Sequence, residues 1–397
     1  MGDVRPFRID VGDDVLDDLR SRLTRVRLPV EPSGAGSWRR GTDTGYLGEL
    51  ITYWAEGYDW RAQERAMNAR PQFVMGSAGG PIHFMHERSR HEAATPLVLT
   101  HGWPWTFWDY DKLVDRLTDP TRYGGSPRDA FHVVVPSLPG FAFSTPLSST
   151  PPTWWETADL WVELMETLGY DRFGAAGGDW GAWVTAQLGH KYPDRLVGIH
   201  LLDAARLEMW ATDRPWDIFE GARAGLSAED RASFLAFERK AASHVCIQVL
   251  APMTLAHAPT DSPAGLCSWL IERRRSWSDC GGDLESVYSM DELITSVMLY
   301  WCTNSVASSM AIYPSAVERP WTPSHGGEHV VSAATALSTF RYHSRPAGEW
   351  AGHYYDLRWR RDHDRGGHFS PAEVPDAVAA DLRESFATFR GGQGQEF

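Results

Sequence analysis

The sequence is poor in cysteine, in positive charge and in long apolar runs, and each scarcity excludes a class of protein. Its cysteines are Cys246, Cys267, Cys280 and Cys302, with no Cys-x-x-Cys pair, so we expect reduced thiols and a cytoplasmic location. The net charge of -14 disfavours a nucleic acid or an anionic membrane as partner. No apolar run approaches the roughly 20 residues of a membrane span.

The N-terminal stretch MGDVRPFRIDVGDDVLDDLRSRL is acidic and lacks an apolar centre, so no signal peptide is expected. What the chain does have is a 43% share of hydrophobic residues and 19 tryptophans among its 397 residues. That composition is typical of a large α/β protein with a substantial core. The tryptophans are expected in the core and in a pocket lining, and more weakly they indicate an apolar or aromatic substrate.

Hydrophobic spacing divides the chain into four parts. Residues 1–70 show helical spacing and are expected to form a helical arm. Residues 71–204 and 321–397 alternate short apolar runs with helical patterns, which predicts a mostly parallel sheet with helices on both faces. Residues 205–320 are helical in pattern and are interpreted as an inserted cap. Strands are expected at 71–76, 82–88, 96–100, 131–137, 172–178, 196–202, 328–336 and 356–362.

The run GGDWG at 177–181 places an aspartate, Asp179, between a predicted buried strand and a helix. It fits the G-x-nucleophile-x-G elbow, with aspartate where many hydrolases carry serine. Glycines allow close packing at such a turn, and the helix N-terminus favours a negative charge. The alternative is an N-cap aspartate, which is common where a strand leads into a helix.

Two further motifs favour the nucleophile. HGWP at 101–104 follows the strand predicted at 96–100, where an α/β-hydrolase places its oxyanion-hole loop. RGGHF places His368 after the last predicted strand and before the final helix, in the chain order of a general base. A carboxylate nucleophile attacks a saturated carbon that bears a leaving group and forms an alkyl ester. Epoxides and alkyl halides are the electrophiles that suit this chemistry.

The chain resembles the microsomal and juvenile-hormone type of epoxide hydrolase over nearly its whole length. The stretches that carry the resemblance are FRIDVGDDVLDDLRSRL, GYDWRAQE, HGWP, GGDWG, TDSPAGLCSWLIE, MLYWCTNSVASS and RGGHF. A looser resemblance links the chain to bacterial members that act on natural-product epoxides. The N-terminal arm disfavours a haloalkane dehalogenase. The resemblance implies an α/β-hydrolase fold with a helical cap and no metal or cofactor.

By position, the resemblance assigns roles to individual residues. Asp179 resembles the nucleophile and His368 the base, while a cap tyrosine, Tyr313, would protonate the epoxide oxygen. The N–H groups of Trp103 and Trp180 would form the oxyanion hole. Substrate contacts are expected from the loop residues His101, Pro104 and Trp105.

Two positions depart from the family's pattern. His244 stands in SHVCIQ where the family has its second cap tyrosine, and His343 stands where it has the triad acid. The loss of the acid would weaken water activation, because the base then lacks the partner that orients it. Asp203, after the strand predicted at 196–202, is a candidate for the relocated acid; its alternative role is that of a cap-hinge or helix-capping residue.

Three hypotheses follow for a small-molecule epoxide substrate. The first is hydrolysis of an apolar or natural-product epoxide, with Asp203 as the triad acid. The second is non-hydrolytic opening in secondary metabolism, in which an internal carbon or oxygen nucleophile replaces water. The third, a non-catalytic binding protein, is disfavoured by the intact nucleophile, loop and base. The sequence is compatible with a homo-oligomer but does not predict one.

Overall fold

The computed structural model describes residues 2–30, 36–148, 150–217, 228–341 and 350–392. The strands within these ranges are β1 (Val4–Phe7), β2 (Gln72–Ser77), β3 (Gly80–Glu87), β4 (Thr95–Thr100), β5 (Phe131–Pro136), β6 (Phe173–Gly177), β7 (Leu196–Leu201), β8 (Val331–Phe340) and β9 (Tyr355–His363).

The helices within the same ranges include α1 (Asp13–Leu23), α2 (Thr44–Glu56), α3 (Trp60–Asn68), α4 (Asp111–Thr118), α5 (Trp154–Thr167), α6 (Trp180–Lys191), α7 (Ala228–Leu250), α8 (Pro252–Asp261), α9 (Pro263–Trp277), α10 (Met290–Cys302), α11 (Val306–Met310), α12 (Ile312–Glu318), α13 (Trp350–Tyr354), α14 (Ser370–Glu373) and α15 (Pro375–Gly392). None of the described helices combines the length and the apolar character that a membrane span requires.

The strands form one sheet in the order β1-β2-β3-β5-β4-β6-β7-β8-β9. The pairs β1–β2, β2–β3 and β3–β5 are antiparallel, and every pair from β5 to β9 is parallel. The central strand β6 is buried along its whole length, as expected for a strand covered by helices on both faces. The predicted mostly parallel α/β sheet is therefore confirmed, and its order is that of an α/β-hydrolase fold.

The strands expected between residues 71 and 202 all occur, with ends within two residues of those predicted. Within the expected helical arm, Val4–Phe7 forms a strand, because that segment pairs with β2 and extends the sheet by one edge strand. The second half of the arm forms two helices, α2 and α3. Asp59 begins the second, and its side chain accepts the N–H of Ala62 at 3.1 Å.

Helices α7 to α12 lie in sequence between β7 and β8, so the region interpreted as a cap is helical where it is described. The N-terminal arm contacts this region directly. Tyr53 donates its hydroxyl to Asp291 at 2.7 Å, and the indole N–H of Trp54 contacts the sulfur of Met298 at 3.2 Å. These contacts join α2 of the arm to α10.

The turn from β6 to α6 is packed against the end of β4. A Cβ added at Gly181 would lie 1.9 Å from the carbonyl oxygen of Thr100, and one added at Gly177 would lie 2.8 Å from the same atom. Neither glycine has a positive φ. Close approach of backbone to backbone, rather than a left-handed conformation, therefore requires glycine here.

We expect Gly181→Ala to lower the free energy of unfolding by about 3 kcal/mol, at the upper end for overpacking, because backbone atoms cannot move aside. The control is Gly352→Ala in α13, where an added Cβ meets nothing within 4 Å; alanine should be neutral or stabilising there. Urea unfolding of both variants measures the difference. Equal stability of the two would show that the turn is not tightly packed.

Candidate active site

Asp179 occupies a strained turn between β6 and α6. Its backbone has φ 51° and ψ -132°, in a region that costs a non-glycine residue on the order of 1–3 kcal/mol. Its side chain is 18% exposed, and one carboxylate oxygen, Oδ1, accepts the backbone N–H of Trp103 at 2.7 Å. The structure therefore presents this carboxylate at the carboxyl end of the sheet, in contact with the HGWP loop.

Burial raises the pKa of Asp179 from its usual 3.8 to about 6. Hydrogen bonds from the backbone N–H groups of Trp103 and Trp180 oppose this rise, because they stabilise the charged form. The group is consequently ionised near neutral pH, yet poorly solvated. A carboxylate in this state is a better nucleophile than one surrounded by water.

His368 lies in the loop after β9 with 3% of its surface exposed. Its ring nitrogen Nε2 is 3.6 Å from Oδ2 of Asp179, the oxygen that Trp103 does not bind. The imidazole contacts the edges or faces of Trp105 and Trp277, with ring centroids 5.2 and 5.0 Å away. The structure thus brings the predicted nucleophile and base together inside an aromatic enclosure.

Three hydrogen bonds tie the His368 loop to the segment that follows α9, and we call this connection the latch. The backbone N–H of His368 donates to the carbonyl of Trp277 at 2.8 Å, and that of Gly366 donates to Oδ2 of Asp279 at 2.9 Å. The backbone N–H of Asp279 donates to Oε2 of Glu373 at 2.7 Å. Burial raises the pKa of Glu373 to about 7, against the effect of its N–H donors.

The cap residues Tyr313 and His244 lie beside the same aromatic group. The ring of His244 stacks on Trp103 at 5.4 Å and meets Tyr313 edge-on at 5.9 Å. Tyr313 also packs edge-on against Trp180 at 4.8 Å. Burial and the nearby charge of Asp179 raise the pKa of Tyr313 well above 10, so its hydroxyl keeps its proton and can donate it.

Asp203 follows β7, and its Oδ2 accepts the backbone N–H of Asp179 at 3.0 Å. This contact supports the strained turn directly. The pairing of Asp203 with His368 stays a prediction. His343, the residue at the family's acid position, lies outside the described residues.

The side chain of His101 fixes the HGWP loop through hydrogen bonds to backbone groups. His101 is fully buried; one ring nitrogen contacts the carbonyl of Gly102 at 2.9 Å and the other accepts the N–H of Leu138 at 3.0 Å. Both ring nitrogens are therefore occupied by backbone groups, which leaves none for the substrate contact predicted for this residue. Trp105 and Pro104 are buried beside it, and Trp105 faces His368.

Sequence reasoning missed several residues of α9. Arg274 is buried and forms an ion pair with Asp109 at 2.7 Å, and its guanidinium lies 3.8 Å from the ring centre of Phe369, next to the base. Trp277 supplies both a wall and a backbone acceptor for His368. The stretch SWLIERRRSW could have indicated these residues. Its three arginines lie between two tryptophans, which is unusual for a helix that faces solvent.

We expect Asp179→Asn to change stability in a pH-dependent way. The folded-state pKa of about 6 lies above the ordinary 3.8, so the wild type loses stability as pH rises through this window, and asparagine avoids that loss. The free energy of unfolding of the variant, relative to that of wild type, should increase by up to about 3 kcal/mol from pH 4 to pH 7, since one pKa unit corresponds to roughly 1.4 kcal/mol. Urea unfolding across this range measures it.

The control is Asp43→Asn, since backbone N–H donors lower the pKa of Asp43. The pH dependence is opposite there, because ionised Asp43 stabilises the fold above its ordinary pKa and this stabilisation is lost as pH falls. Asp43→Asn should therefore become less stable relative to wild type as pH rises. A pH-independent difference for Asp179→Asn would contradict the raised pKa.

Comparisons with known proteins match this architecture and site. A family model described as "Epoxide hydrolase N terminus" matches residues 4–110, and one described as "alpha/beta hydrolase fold" matches residues 95–239. A protein named "Putative epoxide hydrolase" from Stigmatella aurantiaca is 38% identical over 98% of this chain and 86% of its own length. Epoxide hydrolase 1 from Sus scrofa is 30% identical over 96% and 88%.

Solved structures agree in fold. The juvenile hormone epoxide hydrolase of Bombyx mori superposes with a TM-score of 0.82 at 24% identity, covering 99% of this chain and 96% of that one. The epoxide hydrolase of Aspergillus niger gives a TM-score of 0.80 at 25% identity over 98% and 97%. With relatives of 30% identity or more aligned along almost its full length, this chain is an α/β-hydrolase enzyme that belongs to the epoxide hydrolase family.

Proposed function

We propose that the protein hydrolyses an apolar or natural-product epoxide through a covalent intermediate on Asp179. The observation that supports this most directly is that the two carboxylate oxygens have different neighbours. Oδ1 accepts the N–H of Trp103 at 2.7 Å, and Oδ2 lies 3.6 Å from Nε2 of His368. One oxygen is thereby anchored and the other lies on the side of the base. Nucleophile, base and cap donors share one enclosure.

In the first step, the carboxylate of Asp179 attacks one ring carbon of the epoxide. A new carbon–oxygen ester bond forms, the ring carbon–oxygen bond breaks, and its electron pair passes to the ring oxygen. Tyr313 donates a proton to that oxygen, because its raised pKa keeps it protonated until the negative charge develops. His244, 5.9 Å away between ring centroids, takes the place of a second donor.

In the second step, His368 removes a proton from water, and the water oxygen attacks the ester carbonyl carbon. The N–H groups of Trp103 and Trp180, which bind the carboxylate in the resting enzyme, hold the negative charge that develops on the carbonyl oxygen.

When this intermediate collapses, the bond between the former carbonyl carbon and the alkoxide oxygen breaks, and His368 gives its proton to that oxygen, so the diol is released. The second proton of the water restores Tyr313, and Asp179 is again a carboxylate. Asp203 is proposed as the partner that orients the base.

Non-hydrolytic opening is the second candidate, and the sequence favours it at one position, because His343 stands where the family has its triad acid. In this candidate Asp203 supports the turn, where its Oδ2 accepts the backbone N–H of Asp179 at 3.0 Å. An internal carbon or oxygen nucleophile of the substrate then replaces water.

Isotope labelling separates the two candidates. With styrene oxide in H₂¹⁸O and enzyme in excess, hydrolysis through the ester should place ¹⁸O in the peptide containing Asp179 and not in the first diol. With substrate in excess, later diol molecules should carry the label. Asp179→Asn should lose turnover, because an amide is a poor nucleophile. Mass spectrometry of the peptide and product measures both.

Label in the diol of the first turnover would mean direct attack by water and would refute the covalent route. An unlabelled alkyl-enzyme that persists without release of diol would contradict hydrolysis as the complete reaction and favour the non-hydrolytic candidate.

Asp203→Asn distinguishes the two roles of Asp203. As triad acid, its loss should slow ester hydrolysis by up to about 10⁴-fold, so the alkyl-enzyme should accumulate after a normal ring-opening step. If Asp203 instead supports the turn, its replacement by asparagine still offers an oxygen to the N–H of Asp179, and the rate of ester hydrolysis should change little. Quenched-flow mass spectrometry follows the intermediate, with the surface variant Asp213→Asn as control.

A further inference from the structure

Trp105 contacts both the base and the nucleophile turn. Its ring stands perpendicular to the imidazole of His368, with the ring centroids 5.2 Å apart. A Cβ added at Gly178, the residue before Asp179, would lie 3.1 Å from Cη2 of the indole. The same side chain therefore adjoins the two groups that act in the proposed hydrolysis.

The position of Trp105 is fixed by its backbone and by its surroundings. Its backbone N–H donates to the carbonyl of Gly102 at 3.1 Å, and its carbonyl accepts the hydroxyl of Tyr300 at 2.8 Å. The residue has no exposed surface, and its ring also packs against Phe369, with the centroids 5.6 Å apart. The direction of the indole N–H is consequently set before a substrate binds.

The indole N–H of Trp105 is buried and has no acceptor among the residues that the structure describes. Buried donors are usually bonded, because removing them from water without a partner is unfavourable. Phenylalanine would fill most of the same space without this cost. An acceptor that enters the site during the reaction accounts for a tryptophan at this position.

The water of the second step has one bonding position left for such a donor. It gives one proton to Nε2 of His368 and uses one lone pair to attack the ester carbonyl carbon, so its second lone pair can accept a hydrogen bond. The other donors of the proposed site act on different oxygens. Tyr313 acts on the ring oxygen, and the backbone N–H groups of Trp103 and Trp180 act on the carbonyl oxygen. Trp105 is the donor beside the base that remains for the water.

We infer that the indole N–H of Trp105 binds the oxygen of the water that His368 activates, and so fixes the direction in which this water attacks the ester. Trp105 gives up no proton. It acts in the second step alone, and this role differs from the substrate contact expected from the sequence. The inference rests on the proposed function.

The test replaces Trp105 with benzothienylalanine, whose ring system has the size of indole but carries sulfur in place of the N–H. With styrene oxide and enzyme in excess, the rate of ring opening should stay that of wild type. Hydrolysis of the alkyl-enzyme should slow by about tenfold, which corresponds to the loss of one ordinary hydrogen bond. Quenched-flow mass spectrometry of the peptide that contains Asp179 follows both steps.

The matched control is the same replacement at Trp154 in α5. Its indole N–H is also buried without an acceptor among the described residues, but its ring packs against Trp155, with the centroids 4.9 Å apart. Neither step should change there. A displaced base would also slow hydrolysis, but it would flatten the rise of the hydrolysis rate with pH. Loss of the N–H alone should lower that rate by the same factor at every pH.

Three results would overturn the inference and leave the proposed function intact. They are hydrolysis at the wild-type rate in the Trp105 variant, an equal loss in the Trp154 variant, and a flattened pH profile. A wild type whose alkyl-enzyme is not hydrolysed by water would overturn both the proposed function and the inference.

Discussion

The arrangement of the site depends on one constraint, the strained backbone of Asp179. Asp179 has φ 51° at the start of α6, and the surrounding contacts hold it in that conformation. Gly181 packs against the carbonyl of Thr100, Asp203 accepts the N–H of Asp179, and the N–H of Trp103 binds its carboxylate. The same burial that fixes the geometry raises the pKa, so position and reactivity have one cause.

The rest of the enclosure is built by two parts of the chain that are distant in sequence. The α/β core contributes Asp179, the HGWP loop and His368, while the helices between β7 and β8 contribute Tyr313, His244 and the wall formed by Trp277. The ion pair between Arg274 and Asp109 fastens these parts beside the base. The aromatic rings reduce the solvation of the carboxylate, which strengthens its interactions with the few polar groups beside it.

Much of the core could be predicted from sequence, because its signals are local. The buried strands are short apolar runs, and Asp179 and His368 stand in motifs whose glycines reflect close packing. β1 was missed because four residues, partly exposed, show no clear period. β8 was expected at 328–336 but spans Val331–Phe340, because the polar residues Ser338 and Thr339 near its end are buried in the sheet. Trp277, whose carbonyl accepts the backbone N–H of His368, is 91 positions away in sequence, and no local pattern indicates this contact.

The latch means that the cap is not an independent module. The N–H of His368 has its acceptor on Trp277, the last residue of α9, and the carboxylates of Asp279 and Glu373 accept the N–H groups of Gly366 and Asp279. Replacement of the segment between β7 and β8 would therefore remove the backbone acceptor of His368 together with the carboxylate that binds the N–H of Gly366.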